Sequence, residues 1–247
     1  MSQTTQAQKE QQLKEQQKEQ QQQQLALPVA PALPAGAADL RELLKGTDRY
    51  NPTHIERLEK YIQEQVTDGT YDFESNLALL RLYQFHPTKV NADASAQVLL
   101  KMLLVLPAGD YASSLFLLSD KLQADESIKN IVAAAHHLEA AQFIQFWSLV
   151  NATPKIKQLM PSFADEARKF IAHILSVSAQ SMDQLLLSKF LDLQAGAFDS
   201  FVAAQGWAVE RDAVSFGVNK DNQAKSKNIS EKIPFNNLTK LLGQAFA

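Results

Sequence analysis

The chain has no cysteine among its 247 residues. That rules out disulfides, thiolate nucleophiles and cysteine-ligated zinc, and it suits a reducing compartment. Glycine is scarce, with eight in all, and they are dispersed: no GxG, GK[ST] or GxSxG occurs. A phosphate cradle needs glycines where backbone N–H groups close on the anion, so nucleotide-loop chemistry finds no support. No run of about 18 apolar residues is present, which speaks against a membrane-spanning helix. Nor does the N-terminus carry the apolar core of a signal peptide; Gln and Lys-Glu pairs stand there instead, and a cytoplasmic location is the default expectation. An excess of positive charge is also missing. With 24 Lys and Arg against 27 Asp and Glu, the net charge is −3. Proteins that hold a phosphate backbone usually carry a basic excess, because counterion release drives that binding.

Glutamine is abundant at the start. Twelve of the first 24 residues are Gln, and QQQQQ closes the segment. Residues 25–38, LALPVAPALPAGAA, add three prolines. Composition marks 1–38 as a disordered tail and Pro/Ala linker that cannot bury enough surface to offset chain entropy. From Asp39 the pattern becomes helical. Asn51-Pro52 opens a helix with Ile55, Leu58, Tyr61, Ile62 and Val66 on one face, and Asp68-Gly69 ends it. A second runs from about Phe73 to Phe85, before Pro87. A third, about 92–106, carries Val98, Leu99, Met102, Leu103 and Leu106. A fourth, about 111–123, follows Asp110, and a long fifth runs from Glu126 to Val150. Thr153-Pro154 opens a short sixth that ends at Pro161. Entries near 52, 91 and 126 recur at the period of helical-hairpin repeats, so residues 39–160 read as a HEAT-like helical-repeat domain.

Residues 161–218 follow a different grammar. One helix covers about 163–177. Ser181-Met-Asp-Gln184 reads as a capping box for helix 182–192. A turn at Leu193–Gly196 leads to a helix over about 197–205, with Gly206 at its end. Trp207–Val209 and Val214–Val218 then read as two short strands around the turn Glu210–Ala213. Helix-turn-helix plus hairpin is the winged-helix layout. Residues 219–247 form a polar linker and a C-terminal helix over about 235–245. The fold class is therefore mainly α, a helical-repeat domain followed by a winged helix.

Catalytic chemistry is hard to find. His136-His137 lacks the i, i+4 spacing that puts two ligands on one helix face, and adjacent histidines point about 100° apart. The remaining histidines, His54, His86 and His173, have no evident partners. Asp125-Glu126 and Asp165-Glu166 lie at helix starts, where the dipole welcomes them. No enzyme activity, cofactor or metal is expected. Winged helices often read nucleic acid through the second helix of the motif. Here that helix, GAFDSFVAAQ, has no Lys or Arg. Across 183–218, two basic residues face five acidic ones, a net −3. Such a surface repels phosphates, so protein–protein docking is the expected use and direct RNA contact is not. Lys220, Lys225, Lys227 and Lys232 beyond the wing read as a solvated linker. The aromatic cluster Phe143, Phe146 and Trp147 reads as core.

Several stretches carry a resemblance: LLKGTDRYNP (43–52), YDFESNLALLRLYQFHP (71–87), AAQFIQFW (140–147), FADEARKFIAHIL (163–175), QGW (205–207) and KNISEKIPF (227–235). In them the chain resembles the PCI-type subunits shared by the proteasome lid, the COP9 signalosome and translation initiation factor 3, the last most closely. The resemblance implies a non-catalytic scaffold that reaches the small ribosomal subunit through its assembly. It also implies sister subunits as partners, subunit L above all, with winged helices meeting edge to edge and C-terminal helices sharing a bundle. Candidate partner-binding residues are Val214, Phe216 and Val218 on the wing, and Leu238, Leu241, Leu242 and Phe246 on the last helix. A nucleic-acid-binding winged helix, or a lid or signalosome subunit, is the alternative. The Gln-rich tail precedes the resemblance and inherits no role.

Overall fold

A computed structural model describes residues 32–34 and 36–223. Among the described residues, ten α-helices precede the first strand: α1 (Ala37–Leu43), α2 (Ile55–Asp68), α3 (Phe73–Phe85), α4 (Ala92–Leu103), α5 (Asp110–Leu115), α6 (Asp120–Gln123), α7 (Glu126–Glu139), α8 (Phe143–Ala152), α9 (Pro154–Leu159) and α10 (Phe163–Ser178). Then come β1 (Ser181–Asp183), α11 (Gln184–Leu191), α12 (Ala195–Ala204), β2 (Ala208–Glu210) and β3 (Ala213–Ser215). Short 3₁₀ turns occupy Gly46–Tyr50, Pro52–His54 and Pro87–Lys89.

The repeat entries are built as the sequence implies. Asn51 accepts from the Thr53 N–H, with Pro52 in the first turn, and leads into α2. Asn91 caps α4 by accepting from Asp93 and Ala94, and Asp125 caps α7 by accepting from Ser127 and Ile128. Each such cap satisfies backbone donors that a helix start leaves orphaned, worth about 1 kcal/mol. Gly69, at φ 67°, ends α2 in the left-handed conformation that glycine adopts without Cβ strain. The centre of the stack is α4. Every residue from Ala94 to Leu103 is buried, because α2, α5, α7 and α9 pack around it.

Burial all round forces α4 to manage polar groups. Gln97 donates to the Leu159 carbonyl (3.0 Å) and to Gln63 Oε1 (2.9 Å). Lys101, 3% exposed, meets Glu166 of α10 at 3.5 Å. A second buried network joins α1, α2 and α3. Asp72 is fully buried and accepts from Arg41, Tyr61 and Ser75, while Gln65 accepts from the Asp72 N–H and exchanges hydrogen bonds with Asn76. Buried polar groups are tolerated because these partners replace water.

Four sequence expectations need correction. The helix expected over Glu126–Val150 is two helices, α7 and α8, reversed at Ala141, whose φ is 55°. Gln142 N–H bonds to the His137 carbonyl and Ala141 N–H to that of Leu138, a Schellman closure. The reversal lets Ile131, Ala135 and Leu138 of α7 share a core with Phe143, Phe146 and Val150 of α8. Tertiary packing overrides local propensity there, since nothing in EAAQF breaks a helix. The helix expected over 111–123 is also two, α5 and α6; Leu118 turns into the core between them, and Ser119 caps α6 through the Leu122 N–H. The helix expected over 92–106 ends at Leu103. Ser181 is no helix cap. It lies in β1, opposite Ser215, and Asp183 is the residue that caps α11 by accepting from Leu186.

The winged-helix part follows from these residues. The sheet order is β1-β3-β2, antiparallel throughout, with Met182 and Val209 both opposite Val214. One hydrophobic core runs from Ala37 to Phe216 and passes through the stack, α11, α12 and β3. Polar clamps reinforce the junction: Trp147 Nε1 donates to the Phe190 carbonyl (2.7 Å), Arg168 Nε to the Leu191 carbonyl (3.0 Å), and Asn151 to Asp192 (2.9 Å). The Arg168 guanidinium also lies 5.1 Å over the Trp147 ring.

Candidate interaction surfaces

The wing residues singled out from the sequence separate into two groups. Val214 is fully buried and Phe216 nearly so, with Phe216 edge-to-face on Trp207 at 4.6 Å. Their side chains hold the sheet to the helices and face no partner. Val218 is 63% exposed. Leu238, Leu241, Leu242 and Phe246 lie outside the described residues.

Backbone availability differs from the sequence expectation as well. β3 is the central strand, paired on both sides, so it offers no free edge to a visiting strand. The outer edges belong to β1 and β2. All of β2 is exposed, with Val209 half exposed at its middle. An edge strand with an exposed apolar residue is a template for strand addition, main-chain bonds supplying affinity and alternate side chains supplying choice. The spacing of β-runs in the sequence found two strands and missed β1, because Ser-Met-Asp has little strand character of its own.

The second helix of the motif, α12, directs Phe198 and Val202 inward. Outward it presents Ala195, Gly196, Ala197, Asp199, Ser200, Ala203 and Ala204. There is no cation on it to meet a phosphate, and Asp183 and Asp212 flank the neighbouring groove at the start of α11. This is a small-residue surface of the sort a helix or strand can approach closely, and it opposes nucleic acid electrostatically.

Further apolar surface lies outside the winged helix. Leu185 (65% exposed) and Leu186 (40%) form a step on α11. Phe116 is 86% exposed beside a groove lined by Leu115, Ile128 and Val132. Tyr50 and Phe85 stack edge to face at 5.4 Å while both stay half exposed.

Among the described residues, no group of three or more His, Asp or Glu side chains is arranged to hold a metal. His137 shares a hydrogen bond with Gln142 across the α7–α8 turn, and His136 lies 4.0 Å from Glu139. The perturbed groups are structural: burial pushes the Tyr61, Tyr71, Tyr83 and Tyr111 phenols up, and carboxylates beside them (Asp72, Asp110, Glu59 and Glu139) add to it. No helix among the described residues is long and apolar enough to cross a membrane.

Comparison with known proteins agrees with this geometry. The profile of the CSN8/PSMD8/EIF3K family matches residues 89–228, which takes in most of the stack and the whole winged helix. Eukaryotic translation initiation factor 3 subunit K from Drosophila erecta is 35% identical over 206 residues, covering 83% of this chain and 93% of its own. The protein of that name from Nematostella vectensis is 34% identical over 214 residues, covering 85% and 99%. That from Culex quinquefasciatus is 36% identical over 204 residues, covering 82% and 92%. Likeness of this extent, through both parts of the fold, means that the chain belongs to the CSN8/PSMD8/EIF3K family.

Proposed function

We propose that the chain is a subunit of eukaryotic translation initiation factor 3 and acts in translation initiation as a non-catalytic scaffold. The carrying observation is likeness over 82–85% of the chain, at 34–36% identity, to proteins named as subunit K of that factor. On this reading residues 39–160 supply a rigid helical body and residues 161–218 the docking module. Residues 1–31 and 219–247 are appended segments, the latter offering Leu238, Leu241, Leu242 and Phe246 to a shared helical bundle; the linker expected to run to residue 38 ends earlier, because Ala37 is buried and begins α1. Other subunits of the factor, subunit L foremost, are the direct partners; the small ribosomal subunit is reached through them, in the cytoplasm. Two features of the winged helix support a protein partner over RNA: α12 carries no Lys or Arg, and the free edge of β2 carries exposed Val209.

The test is affinity purification of the tagged full chain from cell lysate, with co-eluting proteins identified by mass. Recovery of initiation factor 3 subunits in stoichiometric amounts is expected. Recovery of proteasome-lid or signalosome subunits alone would replace the reading with a sister assembly. An RNA titration of the purified chain is expected to stay flat at low salt, and a steep salt-dependent isotherm would overturn the scaffold assignment.

A further inference from the structure

The stretch most distinctive in the sequence, Leu43–Pro87, builds a cavity of about 390 Å³ between α1, the 3₁₀ turn Gly46–Tyr50 and α3. It lies outside residues 89–228, so the shared family profile does not account for it. α3 is apolar on more than its core side. Leu79, Leu80 and Leu82 are buried inward, while Phe73, Leu77 and Ala78 stay half-buried and face the cavity with Leu44. The rim is basic: Arg41, Lys45, Arg49 and Arg81 line it against a single acid, Glu74. Three of the chain's six arginines thus converge on one apolar hollow in a protein of net charge −3.

Internal pairing uses only part of this charge. Arg41 is held by Asp72 and Glu74, and Lys45 by Glu42. Arg49 donates its Nε to the Leu44 carbonyl (3.2 Å), which fixes the guanidinium at the mouth with its terminal nitrogens unpaired among the described residues. Arg81, on α3, lines the same cavity and is exposed; it has neither a carboxylate within 4.0 Å nor a hydrogen-bond partner among the described residues. Two fork-shaped donors over an apolar floor match a carboxylate pair flanking a large apolar side chain. The chain's own first 31 residues hold three Lys and three Glu, so they offer no acidic excess to fill this role.

We infer that the hollow between α1 and α3 is a docking site for an acidic linear peptide of a partner protein, with Arg49 and Arg81 engaging its carboxylates and Phe73, Leu77 and Ala78 receiving one apolar or aromatic side chain. Its volume falls in the range of small-ligand sites and fits a side chain or two, not a folded surface. Single-stranded RNA is the less favoured occupant, because two free guanidiniums beside Glu74 neutralise too few phosphates. The inference stands on the cavity and holds whichever assembly the chain enters.

The test is fluorescence anisotropy with the full chain. The probe is a fluorescein-labelled peptide bearing four glutamates around one phenylalanine and one leucine. Saturable binding is expected, with a Kd on the order of 10–100 µM at about 50 mM salt. Replacing the probe's glutamates by glutamine should weaken it about tenfold, as should its Phe-to-Ala version. The protein variant Arg49→Gln/Arg81→Gln should weaken the acidic probe about tenfold, and Arg81→Gln alone, which removes no hydrogen bond among the described residues, should weaken it severalfold with an unchanged melting curve. The inference is overturned by equal binding of the acidic and glutamine probes, by indifference to the double variant, or by no saturation near 1 mM. It is also overturned if an oligouridylate, and not the peptide, binds and loses affinity with that variant.

Discussion

Removing Glu166 should be costly only while Lys101 is present. Lys101 is 3% exposed in the last turn of α4, and its carboxylate partner among the described residues is Glu166 at 3.5 Å, a side chain about a quarter exposed. At that distance and an effective dielectric of about 20, the attraction is about 5 kcal/mol, against a burial penalty of several kcal/mol for the ammonium. The pair therefore roughly breaks even, but a lone Lys101 does not. Glu166→Ala should destabilise the protein by roughly 2–3 kcal/mol, below the range for fully buried pairs because Glu166 keeps some water. Lys101→Met, similar in volume, should be neutral or stabilising by about 1–2 kcal/mol. In the Lys101→Met background, Glu166→Ala should cost about 0.5 kcal/mol. Urea denaturation of the four proteins near pH 7 gives the cycle. A coupling near zero would refute the account. The pH dependence is a second check. Burial lowers the Lys101 pKa, opposed by Glu166, so the folded state holds fewer protons than the unfolded one between the lowered value and 10.5. Stability from this group rises with pH across that window, and the advantage of Lys101→Met should shrink as the pH rises through it toward 10.5. An advantage that grows instead would show that Lys101 is not desolvated.

Ala141→Gly should stabilise by about 0.5–1 kcal/mol, since Ala141 sits at φ 55° where glycine escapes Cβ strain; a fall in thermal midpoint would count against the α7–α8 reversal. Asp72→Ala should cost about 3 kcal/mol in denaturant unfolding, because Arg41, Tyr61 and Ser75 all lose their acceptor; a loss below about 1 kcal/mol would mean the network is wet. Tyr61, Tyr71, Tyr83 and Tyr111 have folded pKa values raised above 10.0, so the folded state keeps protons that the unfolded state releases. Stability should be at full strength below about pH 10 and fall above it, with Tyr83→Phe reducing the slope of alkaline unfolding monitored by circular dichroism.

What the sequence carried plainly was local chemistry. Phe73–Phe85 is bounded by an acidic start and Pro87, and its helix has those limits. Asn51-Pro52, Asn91 and Asp125 bring their own capping groups, so the entries of α2, α4 and α7 were legible to within a few residues. The misses share another cause. The reversal at Ala141 and the inward turn of Leu118 are imposed by what each helix must bury, and strand β1 exists only because β3 lies beside it. Alternation marked Val214, Phe216 and Val218 as one strand of candidate contacts. Only burial and the sheet order reveal that the first two face the core and that β2, with β1, forms an outer edge. The cavity between α1 and α3 was equally hidden, because it needs Arg49 and Arg81, 32 positions apart, in one lining.

The two tryptophans of the chain make the molecule its own optical reporter. Trp147 sits where α8 meets α11, hydrogen-bonded to Phe190 and covered by Arg168, while Trp207 is packed between Phe201 and Phe216 at the root of the hairpin. A Trp207→Phe protein emits from the seam alone, and a Trp147→Phe protein from the wing alone. Loosening of the wing against the helical body can thus be told apart from melting of the body itself, without any attached dye.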